Sequence, residues 1–465
     1  MENESKNENI YQLNGKVPLR TAIPIGLQHV SAMFASNLTP ILIITGICGI
    51  SSGSALQITI LQNAMLIAGL ITLVQVIGFG PIGGKLPIVM GTSSGFIGVC
   101  RGIAAGMGGG LIGYGAILGA SLLGGLFEGV LGLFLKPLRK FFPPIVTGTV
   151  VLSIGLSLIS IGIAFFAGGF GAKDFGSLEN LALGFFVLVI IVIFRHSKSP
   201  FLRATSIIIG IIAGYIASLI MGLFLQKTIT VAAADGSTVE VIKAWVLQTN
   251  KIGAAKWFAI PKFMPVKLVF NAKAIFPMII MFLVTTVETI GDVSGITQGG
   301  LDREATDKEL SGSVICDGVG SSFATLFGVL PNTSFSQNVG LVGMTHIVNR
   351  FVIAVGGIAL VICGLFPKLA AVISIMPYSV LGGAAVMMFA SITVSGIELI
   401  TKEKLTNRNI TILIVSLGLG YGLGASSAAV ANLPTALQLI FSGGGIVPAA
   451  IFAIVLNIIL PKEAE

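Results

Sequence analysis

Apolar runs near the roughly 20 residues that an α-helix needs to cross a bilayer recur from Thr21 to Leu460, with room for roughly 12 to 14 spans. In the first half they begin near Thr21, Ala55, Gly95, Leu111, Ile145, Leu181 and Ala204. In the second they begin near Ile275, Leu310, Gln337, Val352, Ala371, Asn409 and Ala436. Residues 44–56 and 168–177 read as turns. Between the halves the chain becomes polar and β-branched: Thr228, Ile229, Thr230 and Val231 are followed by Ser237, Thr238, Val239 and Val241, a hairpin-like pattern outside the membrane. Trp245 and Trp257 lie in this stretch, where a tryptophan is more often an anchor at the membrane interface than a binding residue. The organisation predicted is a tail (1–20), a first set of seven spans (21–226), an extramembrane loop (227–271) and a second set of seven (272–461).

Two of these spans are interrupted in similar ways. Leu86-Pro-Ile-Val-Met-Gly-Thr-Ser-Ser-Gly-Phe-Ile-Gly98 resembles Leu330-Pro-Asn-Thr-Ser-Phe-Ser-Gln-Asn-Val-Gly-Leu-Val-Gly343, and Pro143 and Pro377 are each followed five residues later by glycine. Paired Gly/Pro-interrupted apolar segments at corresponding places in two halves point to a transporter's midplane site. Non-helical backbone at that depth is tolerated only inside protein or beside a water-filled cavity. The two Leu-Pro segments are therefore expected to cross beside each other as short β-like pieces in the third and tenth segments, each feeding a half-helix. An odd number of spans per half makes the two repeats inverted. The fold class is all-α polytopic, about 14 segments in two inverted sevens.

Composition agrees and narrows the class: 54% hydrophobic and 10% charged residues with a mean hydropathy of +0.99 lie far from soluble domains, which carry about 25% charge. The 61 glycines suit close helix contacts. The net charge of +8 matters by placement rather than as a nucleic-acid signal. The clusters Lys136/Arg139/Lys140, Arg195/Lys198/Arg203 and Lys402/Lys404/Arg408 all fall inside if both termini are cytoplasmic, as the positive-inside rule expects. The polar, Lys- and Glu-containing start lacks an apolar core, so it reads as a tail rather than a signal peptide. Cys48, Cys100, Cys316 and Cys363 lie apart, suggesting packing rather than disulfides or a metal.

Ionisable side chains within spans are costly, roughly 2.5 to 3.5 kcal/mol on insertion scales, and are functional candidates by default. Glu288 and Asp292 stand at i and i+4, so their carboxyls share one helix face. Two carboxylates this close in a low-dielectric site repel, which favours holding a proton. Asp317 suits either a coupling network or a helix end. His29, placed in the first half as Glu288 is in the second, suits a hydrogen bond to the carboxylates. Glu128, among small neighbours, reads as a helix contact before a functional group. Lys85 and Arg101 read as end anchors; His346 and Arg350 follow the second half-helix, where cations suit its dipole.

This set fits a small planar polar solute. A carboxylate accepts N–H groups while the Gln337 amide both accepts and donates, together matching a ring edge that alternates N–H and C=O. Half-helix N-termini at Gly95-Phe96 and Val339-Gly340 would add backbone donors, and Phe96 or Phe335 could stack on a ring. No nucleotide-binding loop, catalytic triad or metal spacing is present, so the expected driver is an ion gradient with no cofactor.

With these residues in place, the chain resembles the nucleobase-ascorbate transporter (nucleobase-cation symporter-2) family over essentially its whole length. The family signature, Gln/Glu/Pro-Asn-x-Gly-x4-Thr-Arg/Lys/Gly, is matched by Gln337-Asn338-Val339-Gly340-Leu-Val-Gly-Met-Thr345-His346 except at its last position. The resemblance implies a core domain (segments 1–4 and 8–11), a gate domain (5–7 and 12–14), dimers formed through the gate and a multi-pass plasma-membrane location. It implies Glu288 and Gln337 as substrate ligands, with Gly95, Phe96 and Gly340 lining the pocket. Asp292, Asp317, His29 and Asn338 would form the supporting, proton-coupling network. Glutamine at the signature's first position, with glutamate and aspartate four apart in the eighth segment, resembles the xanthine and uric acid carriers; uracil carriers tend to have glutamate and histidine where Gln337 and Asp292 stand.

The expectation is proton-coupled import of xanthine and/or uric acid by an elevator-like movement. Uptake of uracil or another nucleobase by the same fold is the nearest alternative, and a sulfate-permease-like anion carrier a further one. An integral membrane enzyme would need a nucleophile–base pair or a metal cluster, and neither is visible.

Overall fold

The computed structural model describes residues 9–138, 141–232, 238–253, 255–434, 438, 441 and 444–461. Nine of the helices in these residues are long and apolar enough to cross a membrane, or ten if a bent pair counts as one span. The main elements in chain order, spanning or shorter, are α1 (Leu19–Ile47), α2 (Ala55–Ile77), a strand β1 (Met90–Thr92) leading to the half-helix α3 (Ile97–Gly106), α4 (Gly110–Leu133), α5 (Pro144–Phe166), α6 (Leu178–Arg195) and α7 (Ser206–Phe224). A hairpin of β2 (Thr228–Ala232) and β3 (Thr238–Ile242) follows. Then come α8 (Ala272–Leu301), α9 (Asp307–Thr325), a strand β4 (Asn332–Ser334) leading to the half-helix α10 (Ser336–Thr345), α11 (Arg350–Cys363), α12 (Pro367–Ser374), α13 (Tyr378–Ile400), α14 (Asn407–Ala425) and α15 (Ile446–Ile459).

Helix starts follow their capping chemistry. Ser54, Ser177, Asn271, Asn349 and Thr406 each accept a first-turn N–H, and Thr306 with Glu309 forms a capping box at α9. The span expected from Ala371 starts elsewhere. α11 and α12 are bent by 83°, and the long helix begins at Tyr378 because Pro377, at its N-cap, cannot continue the preceding helix. The segment expected from Ala436 falls partly outside the described residues, and its helix runs from Ile446. Of the first basic cluster, Arg139 and Lys140 lie outside the described residues.

Helices pack closely where glycine removes the Cβ. On α5, Gly148, Gly155 and Gly162 recur every seven residues against Ile400, Thr393 and Phe389 of α13. On α4, Gly125 and Gly129 meet Gly318, Val319 and Ser322 of α9. On α2, Gly69 meets Gly357 and Val361 of α11.

The loop between the halves is tied down rather than free. Ala244 N–H donates to both carboxylate oxygens of Asp174, at 3.1 and 3.0 Å, and the Ser218 hydroxyl donates to the Trp245 carbonyl at 2.7 Å. Trp245 is fully buried by this packing, so the interface-anchor reading is corrected for it; Trp257 is exposed, with Lys368 Nζ 5.1 Å above its ring.

Candidate functional site

Far apart in sequence, β1 and β4 pair antiparallel in the interior, Met90 opposite Ser334, Gly91 opposite Thr333 and Thr92 opposite Asn332. The ladder continues through Ser93 N–H to the Pro331 carbonyl (2.8 Å) and Phe335 N–H to the Val89 carbonyl (3.1 Å). Its two outer edges would be bare in a membrane, and side chains cover them. Met90 N–H donates to Thr72 Oγ1 at 2.9 Å, Thr92 N–H to Asn37 Oδ1 at 2.7 Å and Asn332 N–H to Ser321 Oγ at 3.0 Å. Gly91 lets α1 approach: a Cβ there would sit 2.7 Å from Asn37, Met33 and Phe335 atoms.

The ribbon places the two half-helix starts at its opposite ends, and α8 runs past both. Its stripe Thr285, Glu288, Thr289 and Asp292, spaced i, i+3, i+4 and i+7, faces them. Glu288 stands at the first start: a Cβ on Gly95 would lie 3.8 Å from Glu288 Oε2, and that oxygen is buried without a hydrogen-bond partner among the described residues. One turn on, Asp292 stands at the second start and accepts the hydroxyls of Ser334 (2.7 Å) and Ser336 (2.9 Å). Between them the Thr289 hydroxyl donates to Asp317 Oδ2, which also accepts from Thr333 at 3.4 Å. A carboxylate at a helix N-terminus gains from the helix dipole and the exposed N–H groups.

Gln337 directly follows Ser336, is half-buried, and its amide has no hydrogen bond to the described residues. Gly340, one turn further, borders open space. Three residues after Asp292, Gly295 lines a cleft of about 500 Å³ with Pro144, Gln298, Gly299 and Lys402. Among the described residues, six buried polar atoms without partners gather around the ribbon and α8, on Asn37, Thr92, Glu128, Glu288, Asp317 and Asn332. Such concentration is unusual for a packed interior and typical of a place that receives a ligand or water.

Other expected residues take different places. His29 Nδ1 bonds Asn338 Oδ1 at 2.5 Å rather than a carboxylate, because Asn338 lies on the first turn of α10 against α1. Asn338 Nδ2 donates to the Pro87 carbonyl at 2.9 Å, so its Oδ1 must accept and the His29 proton belongs on Nδ1. This chain of bonds ties α1 and α10 to the first Leu-Pro segment. Phe96 is fully buried and its ring packs on Phe282 with centroids 4.7 Å apart, so its side chain shapes the wall from behind. The expected free donors at Val339 and Gly340 are corrected: α10 begins at Ser336, Val339 N–H already bonds the Phe335 carbonyl at 3.4 Å, and Gly95 N–H donates to Ser93 Oγ at 3.2 Å. His346 is the left-handed cap of α10 (φ 53°), a position where glycine is easiest and where histidine is tolerated.

Comparison with known proteins fits this geometry. A family model described as "Permease family" matches residues 20–428. The chain belongs to this permease family. The permease is 36% identical over 454 residues, 98% of its own chain and 93% of the relative, to a Clostridium perfringens (strain 13) protein whose purine-permease name is itself provisional. It is 30% identical over 469 residues to xanthine permease XanP of Escherichia coli K12 (99% of this chain, 96% of that protein). With the xanthine permease of Bacillus subtilis 168 it shares 34% over 445 residues (94% and 93%). In fold it is similar to the transmembrane domain of the cyanobacterial bicarbonate transporter BicA (TM-score 0.53, 16% identity, 95% of this chain and 99% of that one). It is similar also to the murine anion transporter Slc26a9 in its inward-facing state (TM-score 0.55, 11% identity, 94% and 68%). The permease is thus a polytopic membrane transporter rather than an enzyme.

Sequence reasoning passed over the hydroxyls of Thr285, Thr286, Thr289, Ser334 and Ser336. Their signal was the run of threonines at i, i+1 and i+4 around Glu288 and the Ser-x-Ser that begins in β4.

Proposed function

We propose that this permease imports xanthine and/or uric acid together with protons across the plasma membrane. The observation that carries the reading is Glu288: a buried carboxylate with an unpartnered oxygen, at the start of one half-helix and one turn from the residue that bonds the start of the other. Gln337, its amide unbonded, completes an acceptor-plus-amide pair suited to a purine edge that alternates N–H and C=O. Its relatives' names support the substrate class, and Gln337 with Asp292 supports oxidised purines over uracil. Gly95 and Gly340 leave room for the base; Asp292, Asp317, His29 and Asn338 hold the ligands and carry the coupling proton.

The wider reading is fourteen segments in two inverted sevens (21–226 and 272–461), with a cytoplasmic tail (1–20) and an outer loop (227–271). The packing supports it: segment 3 pairs with segment 10 through β1 and β4, segment 5 packs on segment 12 (α5 on α13), and segment 2 with 11 is mirrored by 4 with 9. The seam between the proposed core and gate is held by isolated side-chain contacts. Among these are Ser36 Oγ to Met388 Sδ (2.8 Å), Gln28 Nε2 to the Pro200 carbonyl (3.4 Å) and Lys402 Nζ to Gln298 Oε1 (3.2 Å). A seam of this kind suits an elevator movement, with dimers formed through the gate. Radiolabelled xanthine uptake, competed by uric acid, uracil and guanine with and without a proton uncoupler, tests the reading. Competition by uracil but not by urate would refute the substrate, and indifference to the uncoupler would refute the symport.

A further inference from the structure

Glu128 of α4 is the buried acid that neither the substrate site nor the proposed coupling network uses. It is fully buried, sealed from the lipid side where Gly125 and Gly129 bring α4 against Gly318 and Ser322 of α9. The charged groups that act on it are both carboxylates, Asp317 from α9 and Glu288 from α8; among the described residues no cation offsets it. A helix contact alone would not need an acid here, because a buried charge without a partner opposes packing.

Its hydrogen bonds have a particular form. Oε1 lies 3.2 Å from Thr285 Oγ1 and 3.1 Å from Thr286 Oγ1, while Oε2 has no partner among the described residues. Each threonine hydroxyl has one proton and a second acceptor within reach, the Phe282 carbonyl, at 3.1 Å from Thr285 and 2.9 Å from Thr286. With Glu128 ionised, both hydroxyls turn to donate to Oε1. With Glu128 protonated on Oε1, that O–H donates to a threonine oxygen, and the hydroxyls donate back to Phe282. Both states are satisfied at Oε1 by rotation of two hydroxyls, with no movement of backbone.

Resting on the symport reading above, we propose that Glu128 is a proton-binding residue of the transport cycle, exchanging its proton with the substrate-site carboxylates through the Thr285/Thr286 face of α8. On release the O–H bond at Glu128 breaks and one forms on Asp317, the carboxylate of α9 whose charge acts on Glu128 and whose Oδ1 is buried without a partner among the described residues. Glu288 sits on the same α8 stripe as Thr285, so a proton at Glu128 and a substrate at Glu288 act on one helix face. Glu128 touches no substrate; it acts through the carboxylates.

The test uses the full-length permease in proteoliposomes with radiolabelled xanthine. Accumulation driven by an imposed pH gradient is compared with xanthine–xanthine exchange at equal pH on both sides, a reaction that needs no net proton release. Glu128→Gln reproduces the protonated state, since its amide N–H₂ can donate to the same threonine oxygen. It is expected to cut gradient-driven accumulation at least tenfold, to keep exchange within about twofold of wild type and to flatten the pH profile of uptake. Thr286→Val keeps the acid and removes one switching hydroxyl; it is expected to shift the pH profile in the same sense, with rescue by Thr286→Ser. Glu128→Gln with wild-type accumulation and pH profile would overturn the proposal. So would parallel loss of exchange and accumulation, the mark of a purely structural role. If Glu128→Gln fails to reach the membrane, an unchanged pH profile in Thr286→Val overturns it. A wild-type protein indifferent to the gradient would remove the symport reading itself, a result distinct from failure of the variants alone.

Discussion

At the scale of single residues the site is a set of carboxylates whose partners decide their work. Glu288 has a buried oxygen without a partner among the described residues, which the proposed function gives to the substrate, so Glu288→Gln is expected to abolish xanthine uptake while the protein remains in the membrane at normal level, checked by uptake against surface-labelled protein. Asp292 is held by two serine hydroxyls. A hydrogen bond to a charged group contributes about 1.5 to 3 kcal/mol, so Ser336→Ala should lower uptake roughly tenfold or more, with Ser336→Thr restoring part of it. Gln337→Glu removes the amide donor and should weaken xanthine competition by about tenfold or more, read from inhibition curves. Glu288, Asp292 and Gln337 were legible because acids and amides inside apolar runs are rare. The serines that hold Asp292 and the threonines that hold Glu128 and Asp317 were not, because hydroxyls are common in membrane helices and only the crossing of distant segments gives them partners. Phe96 shows the opposite limit: its residue type suggested stacking on a base, and the neighbouring Phe282, invisible as a neighbour in the sequence, occupies that face.

Among the elements, glycine sets the spacing. Gly155 has no room for a side chain against Thr393 of α13, so Gly155→Leu is expected to force α5 and α13 apart and to lower the thermal midpoint in detergent by several degrees, with transport lost in proportion. The long apolar helices were legible from hydropathy, and the two Leu-Pro interruptions from their likeness to each other. Of the bend between α11 and α12, the break was legible in Gly364, Pro367 and Lys368, while the 83° angle was not, since only packing fixes it. The buried Trp245 was missed for a similar reason: its loop reads as polar, and its attachment depends on Asp174 and Ser218, residues of other elements.

For the whole molecule, the proposed elevator requires that the contacts across the seam be made and broken. On one side of the protein Lys402 reaches Gln298, and elsewhere the Arg101 guanidinium lies 4.7 Å above the Phe170 ring. Joining positions 298 and 402 through paired cysteine substitutions and a short bifunctional reagent should arrest uptake, and a cleavable reagent should allow its recovery on reduction. The native Cys48, Cys100 and Cys316 are buried, so they compete little for the reagent. Uptake unaffected by a complete cross-link would argue against movement along this seam.

The antiparallel ribbon also has a consequence for how the protein is made. β1 and β4 are separated by roughly half the chain, yet each supplies the other's backbone partners in the protein interior. During synthesis the first half therefore enters the membrane with the edge of β1 unpaired, and it stays so until β4 emerges. The ribosome's pace, rather than local helix formation, then sets when the site can first exist. A nascent chain stopped before residue 330 should remain bound to insertion chaperones or be degraded, and one stopped shortly after residue 345 should become protected, a difference that pulse-chase proteolysis of truncated chains can read.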